Sequence, residues 1–179
     1  DAIACLTDGV AGGLAYEVAI HPDADQNSES STDALLSVLR PLADTAGIDV
    51  NIIPADGRRK RLLIADMDST IITSESLDDM AVMAGLDDKV LPVTRRAMNG
   101  ELDFTAALDE RIALFAGRPA SLMSDALAES SLSAGAPTLV RTMKANGARC
   151  YLISGGFTAI TGPIAAACGF DGHHANVLD

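Results

Sequence analysis

Two carboxylates one residue apart, Asp66 and Asp68, stand where the apolar run Leu62 to Ala65 ends, inside the stretch LLIADMDSTIITSES that spans residues 62 to 76. On an extended chain residues i and i+2 point the same way, so the two acids face together while Met67 turns to the other side. Like charges held that close repel, and the pair asks for a cation or a shared proton. A calcium loop is excluded by the spacing: with Asp66 as its first position, Ile71 stands where glycine is needed and Leu77 where the bidentate Glu belongs. The pair could equally do no more than end a strand and cap a turn. A second polar strand end, Ser154-Gly155-Gly156, adds weight to chemistry. It offers a hydroxyl, and glycines that let backbone N–H groups approach a ligand near a helix start, which is how phosphate is often bound. In α/β sheets ligands sit beyond the carboxyl ends of the strands, and both strand ends here are polar.

Other reactive residue types are less informative. Arg111 lies on the helical stretch DFTAALDERIALFAG, and its neighbours three and four positions away, Ala107, Leu108, Leu114 and Phe115, are all apolar. A guanidinium rising from an apolar face needs an anionic partner, unless its stem merely snorkels along the edge. His173 and His174 are adjacent and on a strand would face opposite sides, so they read as a surface pair rather than a zinc site. Cys150 reads as inert packing in an apolar strand.

The elements that must position these groups follow from pattern. LLIA and ARCYLIS are continuous apolar runs of the kind that form buried parallel strands. Between them SLDDMAVMAG, DDKVLPVTRRAMNG, DFTAALDERIALFAG and PASLMSDALAESS read as helices, with Ser76 as an N-cap and Gly85 as a stop for the first. APTLVRTMKANG reads as a helix before the second strand, and GGFTAITGPIAAACG as one after it, bent by Pro163. The expected fold class is α/β, with a helical block at about residues 76 to 132 inserted after the first strand of a domain covering 62–179. Upstream, GLAYEVAI and IDVNII read as strands around the helix TDALLSVLRPLADTAG, with a kink or break at Pro41 and a polar loop HPDADQNSESS, making residues 1–53 a small α+β unit. PADGRRKR, residues 54–61, reads as a linker, and its basic run RRKR as a solvated segment rather than a nucleic-acid signal.

Composition narrows the function classes. Of 179 residues, 48% are apolar and 21% charged, enough for a core, and a net charge of −12 disfavours nucleic-acid and membrane partners. Three cysteines without metal-ligand spacing suggest no disulfide framework, and a cytoplasmic location is the expectation.

In order and at comparable separations, DMDSTIITSESLDDMA, AMNGELDFTAALDERI and LISGGF resemble the phosphoserine phosphatases of the haloacid dehalogenase superfamily, over about residues 61 to 179. Residues 1 to 53 faintly resemble the small ACT-like domains that precede such enzymes. The resemblance implies a Rossmannoid core with a helical cap, hydrolysis of O-phosphoserine to L-serine and phosphate as the last step of serine biosynthesis, and Mg²⁺ as cofactor. It implies Asp66 as the nucleophile that becomes an aspartyl phosphate, and Asp68 as the acid and then the base. Mg²⁺ would be held by Asp66 and by the backbone carbonyl of Asp68. Ser154 and the Gly155 N–H would hold the phosphoryl group. Glu75 would meet the substrate ammonium, although an acid at a helix N-terminus is also favoured by the macrodipole alone. Arg111 would meet the substrate carboxylate. Met98 and Phe104 match apolar cap positions, though as lone residues they read as core.

The family pattern then breaks off. It needs a phosphate-binding Lys and a later GDG motif with a further acid for the metal, yet after Arg149 there is no Lys or Arg, and GFDGHHAN does not fit. The chain begins at Asp1 rather than Met and stops at Asp179, where the remaining strands of the sheet are expected, so truncation is the expectation. A polypeptide of this length is expected to bind Mg²⁺ weakly and to turn over negligibly. Its unpaired sheet edge would invite association, a homodimer included. The rival readings are another small-molecule phosphatase of the same superfamily, or a non-catalytic module that binds an amino acid.

Overall fold

The computed structural model describes residues 3–5, 14–20 and 28–178, and the chain divides into two units, Asp1–Arg58 and Arg59–Asp179. In the first unit β1 (Ile3–Cys5) pairs antiparallel with β2 (Tyr16–Val18), Ile3 opposite Val18, and α1 (Ser28–Ala46) follows. Three sequence expectations change here. β1 was too short to read from pattern. The run from Ile48 to Ile53 is not a strand; Ile48 and Ile53 are mostly exposed, and among the described residues the run has no strand partner. Alternating apolar residues make a strand only where a sheet edge receives their N–H and C=O groups. Finally, α1 runs through Pro41 unbroken: the ring forfeits one N–H, and the Pro41 carbonyl accepts a 2.8 Å bond from Thr45 Oγ1. Helix α1 also begins inside the expected polar loop, of which residues 21–27 lie outside the described residues.

The second unit is built on a three-stranded parallel sheet in the order β3 (Leu62–Ala65), β4 (Arg149–Phe157), β5 (Gly172–Asn176), so β4 is central. Leu62 lies opposite Arg149 and Ala65 opposite Leu152. The strand β5, GHHAN, carries no apolar or β-branched run, and only pairing with β4 makes it a strand; it lies before Asp179, ahead of where further strands were expected. His174 is exposed and His173 half-buried, its Nδ1 2.8 Å from Thr161 Oγ1. Among the described residues no group of three or more acids, histidines or cysteines is placed to hold a metal ion.

Between β3 and β4 the chain forms α2 (Ser76–Ala84), α3 (Asp87–Met98), α4 (Phe104–Leu114), α5 (Ser121–Glu129) and α6 (Ala136–Ala145), and α7 (Thr158–Cys168) follows β4. Helix α2 stops at Gly85, whose φ of 64° is a left-handed C-cap that costs glycine little. Asp103 caps α4 by accepting from the Ala106 N–H at 3.0 Å. The chain leaves the sheet at Ile72 and returns at Leu132, which are bridged to each other; Thr73 N–H donates to the Ser131 carbonyl and Ser133 N–H to that of Ile71, each at 2.9 Å. The block α2 to α5 therefore hangs from one antiparallel neck. Met67, Ile72, Val140, Cys150, Leu152 and Ile160 are fully buried at the sheet, and side chains of this size contribute roughly 1.5–3 kcal/mol each when removed from water. Cys150 is inert packing as expected, burial pushing its thiol up from the ordinary range. A smaller cluster of Ala81, Leu86 and Val90, with Leu114 and Phe115 against it, ties α2, α3 and α4 together. No helix among the described residues is long and apolar enough to cross a membrane.

Candidate active site

The turn after β3 carries the acids. Met67 is buried with no exposed surface, and its carbonyl accepts from the N–H groups of Thr70, Ile71 and Ile72, which curls the chain tightly beyond Asp66. Ser69 takes a φ of 51°, uncommon for a residue with a Cβ, and its N–H donates to the Ser74 carbonyl at 3.0 Å. The curl brings Glu75 back beside Asp68.

The two aspartates are held differently. Both oxygens of Asp68 are engaged: Oδ1 accepts from the Ser76 N–H at 2.7 Å, and Oδ2 from Ser154 Oγ at 3.1 Å. Asp68 thereby supplies a partner for the start of α2 from outside the helix. This corrects the expected local cap, because the N-cap position belongs to Glu75, which makes no side-chain cap bond, while Ser76 is the first helical residue. Asp66 is exposed, and its Oδ2 accepts only a long 3.5 Å contact from Thr70 Oγ1 among the described groups. A clamped carboxylate suits proton exchange with a fixed partner, and a loosely held one suits attack or cation binding.

Ser154 reaches this turn from the end of β4. Its hydroxyl accepts from the Gly156 N–H at 2.8 Å, so its single proton is directed at Asp68. The glycines lie near a helix start, as expected, just before the N-cap Phe157, but they belong to an irregular strand end rather than to the helix: Ile153 pairs with His174 and Phe157 with Asn176, so Ser154, Gly155 and Gly156 stand across from Ala175 alone. A bulge of this kind re-aims backbone groups, and α7 begins only after Phe157. Asn176 Nδ2 fixes the bulge by donating to the Gly155 carbonyl at 2.8 Å. Gly155 lies under the Phe104 ring: a Cβ there would stand 2.8 Å from Phe104 Cζ, so the exposed ring would have to shift.

Asp66, Asp68, Glu75, Ser76, Leu77, Phe104, Leu108, Arg111, Gly155 and Gly156 line one cavity of about 190 Å³. Of the six expected site residues, five line it directly and Ser154 stands behind Asp68. Phe104 and Met98 are not core, as their apolar character alone had suggested; they are 60% and 74% exposed, and Phe104 closes over Gly155 while Met98 does not line the cavity. Ser76, Leu77 and Leu108 were missed as lining, although Leu108 was visible as an apolar neighbour of Arg111, while Gly156 lines the cavity beside Gly155.

Charge in the cavity is unbalanced. Burial foremost, then the neighbouring acids Asp68, Asp78 and Asp66, push the Glu75 carboxyl above its ordinary range, against a hydrogen bond from the Ser69 side chain that lowers it. Arg111 is half-buried, its Nε donating to the Ala107 carbonyl at 3.1 Å and its Nη1 to Thr94 Oγ1 at 3.5 Å. Among the described residues no carboxylate lies within ion-pair distance of it. Acids thus stand at one wall of the cavity and, among the described residues, an arginine without an ion-pair partner at another.

The model for haloacid dehalogenase-like hydrolases matches residues 63–178, most of the chain and all of these residues. The chain belongs to that family. This haloacid dehalogenase-like chain is 40% identical over 150 residues to a phosphoserine phosphatase of Streptomyces coelicolor, covering 83% of itself and 37% of that protein. Among solved structures it is similar to a haloacid dehalogenase family hydrolase of Salmonella enterica serovar Typhi, with 30% identity, a TM-score of 0.72, and coverage of 86% of this chain and 53% of the other. It is also similar to a phosphoserine phosphatase solved as a phospho-aspartyl intermediate analogue, with 31% identity, a TM-score of 0.63, and coverage of 67% and 57%. The chain thus spans between about a third and three fifths of the length of these relatives.

Proposed function

We propose that the protein is a phosphoserine phosphatase, releasing L-serine and phosphate from O-phosphoserine. The observation that carries this reading is the convergence, in one cavity, of the Asp66 and Asp68 pair with Glu75 and Arg111. A phosphatase of any substrate can use the pair, but an acid and an unpaired guanidinium facing the same space suit the ammonium and carboxylate of an amino acid. The relatives named above support the same substrate.

In this reading an Asp66 oxygen attacks phosphorus, forming an acyl phosphate as the bond from phosphorus to the serine oxygen breaks. Asp68 gives that oxygen a proton, then takes one from the water that hydrolyses the acyl phosphate and returns Asp66 as a carboxylate. Ser154, bonded to Asp68, would steady it, and the Gly155 N–H would meet a phosphoryl oxygen. The donor set fits Mg²⁺, which takes one or two protein oxygens and keeps water. With both side-chain oxygens of Asp68 engaged, the Asp66 carboxylate and the Asp68 backbone carbonyl are the groups that would hold it. Bound there, the ion would neutralise charge on the phosphoryl oxygens. Helices α2 to α5 act as the cap, with Phe104 as its contact on Gly155.

Calorimetric titration of the protein with O-phosphoserine, O-phosphoethanolamine and O-phospholactate in Mg²⁺ buffer tests the reading. O-phosphoserine should bind at least about tenfold tighter than either analogue, because each lacks one charge-assisted contact. Equal affinities would leave a general small-molecule phosphatase in its place.

A further inference from the structure

Thr94 on α3 belongs to no motif in the sequence and does not line the cavity, yet it joins three helices at the residue that would read the substrate carboxylate. Its hydroxyl donates to Asp78 Oδ1 on α2 at 3.1 Å and accepts from Arg111 Nη1 on α4 at 3.5 Å. The Val90 carbonyl, at 3.5 Å, is a competing acceptor for the same proton, but the nearer and ionised oxygen wins it. With the proton committed to Asp78, the oxygen lone pairs face the guanidinium. Nε of Arg111 is fixed on the Ala107 carbonyl at 3.1 Å, so the guanidinium plane is anchored at two nitrogens and its remaining N–H groups are left for a ligand. Asp78 lies in the first turn of α2, three residues after Glu75, so the same chain of contacts ties the anion-reading wall to the ammonium-reading one.

We propose that Thr94 is a positioning residue which, bridged to Asp78, holds Arg111 in its carboxylate-reading pose and so sets the preference for amino-acid phosphates over amine phosphates. This rests on the substrate reading above and adds to it the group that orders the arginine before substrate arrives. A free arginine side chain would lose its rotamer freedom on binding; one already tethered does not.

The test uses Thr94→Val, which keeps the shape and removes the hydroxyl, and Thr94→Ser, which keeps the hydroxyl. Both are titrated with O-phosphoserine and O-phosphoethanolamine in Mg²⁺ buffer, with urea midpoints to report folding. Thr94→Val should weaken O-phosphoserine about tenfold and leave O-phosphoethanolamine within about twofold, while Thr94→Ser should return O-phosphoserine to within about threefold of the parent. Equal weakening of both ligands, or of neither, overturns the proposal, since a merely structural residue would not separate them. If Thr94→Val does not fold, Asp78→Asn decides the matter with the same two ligands and the same criterion. A parent protein that does not prefer O-phosphoserine defeats the substrate reading itself; a preference that survives the loss of the hydroxyl defeats only the role of Thr94.

Discussion

Removing the Ser154 hydroxyl is the sharpest way to ask whether the turn after β3 and the end of β4 are fastened together as described. The residue is 9% exposed, and its side-chain oxygen makes two bonds, one from the Gly156 N–H at 2.8 Å and one to Asp68 Oδ2 at 3.1 Å. A neutral hydrogen bond contributes about 0.5–1.5 kcal/mol and one to a charged group about 1.5–3 kcal/mol. Ser154→Ala would therefore cost roughly 2–4 kcal/mol in a closed interior. The site opens on a cavity, so water can replace part of both bonds, and Asp68 keeps the Ser76 N–H at 2.7 Å; about 1–2 kcal/mol is the expected net loss. The unit Arg59–Asp179 holds 121 residues, which gives an unfolding entropy near 0.25 kcal/mol/K and a fall in Tm of about 4–8 °C. Thermal unfolding followed by circular dichroism without divalent metal measures it. A double-mutant cycle with Asp68→Ala should show a coupling of about 0.5–1.5 kcal/mol. A Tm within about 1 °C of the parent, or a cycle additive to within about 0.3 kcal/mol, would refute the fastening.

Three pH effects follow from the two perturbed acids, Glu75 and Asp171. Because Glu75 titrates above its ordinary range, chiefly through burial, O-phosphoserine binding should release protons and weaken as pH falls into that range; titration in two buffers of different ionisation heat reads the protons, and Glu75→Gln should abolish them. For stability the sign reverses: the folded state holds this proton more tightly than the unfolded one, so the contribution of Glu75 declines as pH rises from the unfolded value through the raised folded one. Asp171 is held below its ordinary range by the Cys150 N–H first and by Lys144 second, so its stabilisation is present above the unfolded value and lost as pH falls through the depressed one. Urea midpoints of the parent and Asp171→Asn should therefore converge as the solution is acidified, and a gap that stays constant with pH would argue against the assignment.

Legibility from sequence depended on how far apart the partners lie. Asp66, Asp68 and Glu75 fall within ten residues, and strand alternation followed by a turn was enough to anticipate that the first two face together. Helices α2 to α5 announced themselves through spacing and stop signals such as Gly85. Strand β5 did not, because GHHAN carries no strand pattern of its own and is a strand only through its ladder with β4. The reverse error occurred at Ile48 to Ile53, where the alternation was present but, among the described residues, no strand partner was. Thr94 was invisible for a related reason: a lone hydroxyl on a helix has no periodicity, and its meaning lies in Asp78 and Arg111, 16 and 17 residues away.

Residue types and short-range spacing by themselves determined that a carboxylate pair would follow a strand and that an arginine would rise from an apolar helix face; that the strand would be buried held only for Ala65, since Leu62 and Ile64 are exposed. Only the tertiary structure decided how those groups are used. Parallel pairing of β3 with β4 carries Ser154 across 86 residues to Asp68, and the neck at Ile72 and Leu132 swings Arg111 over the same cavity. It also decided that the two aspartates differ, one clamped at both oxygens and the other nearly free. Local sequence sets which way a side chain points, while the partners that bind its oxygens arrive from distant segments whose approach depends on packing of the whole domain.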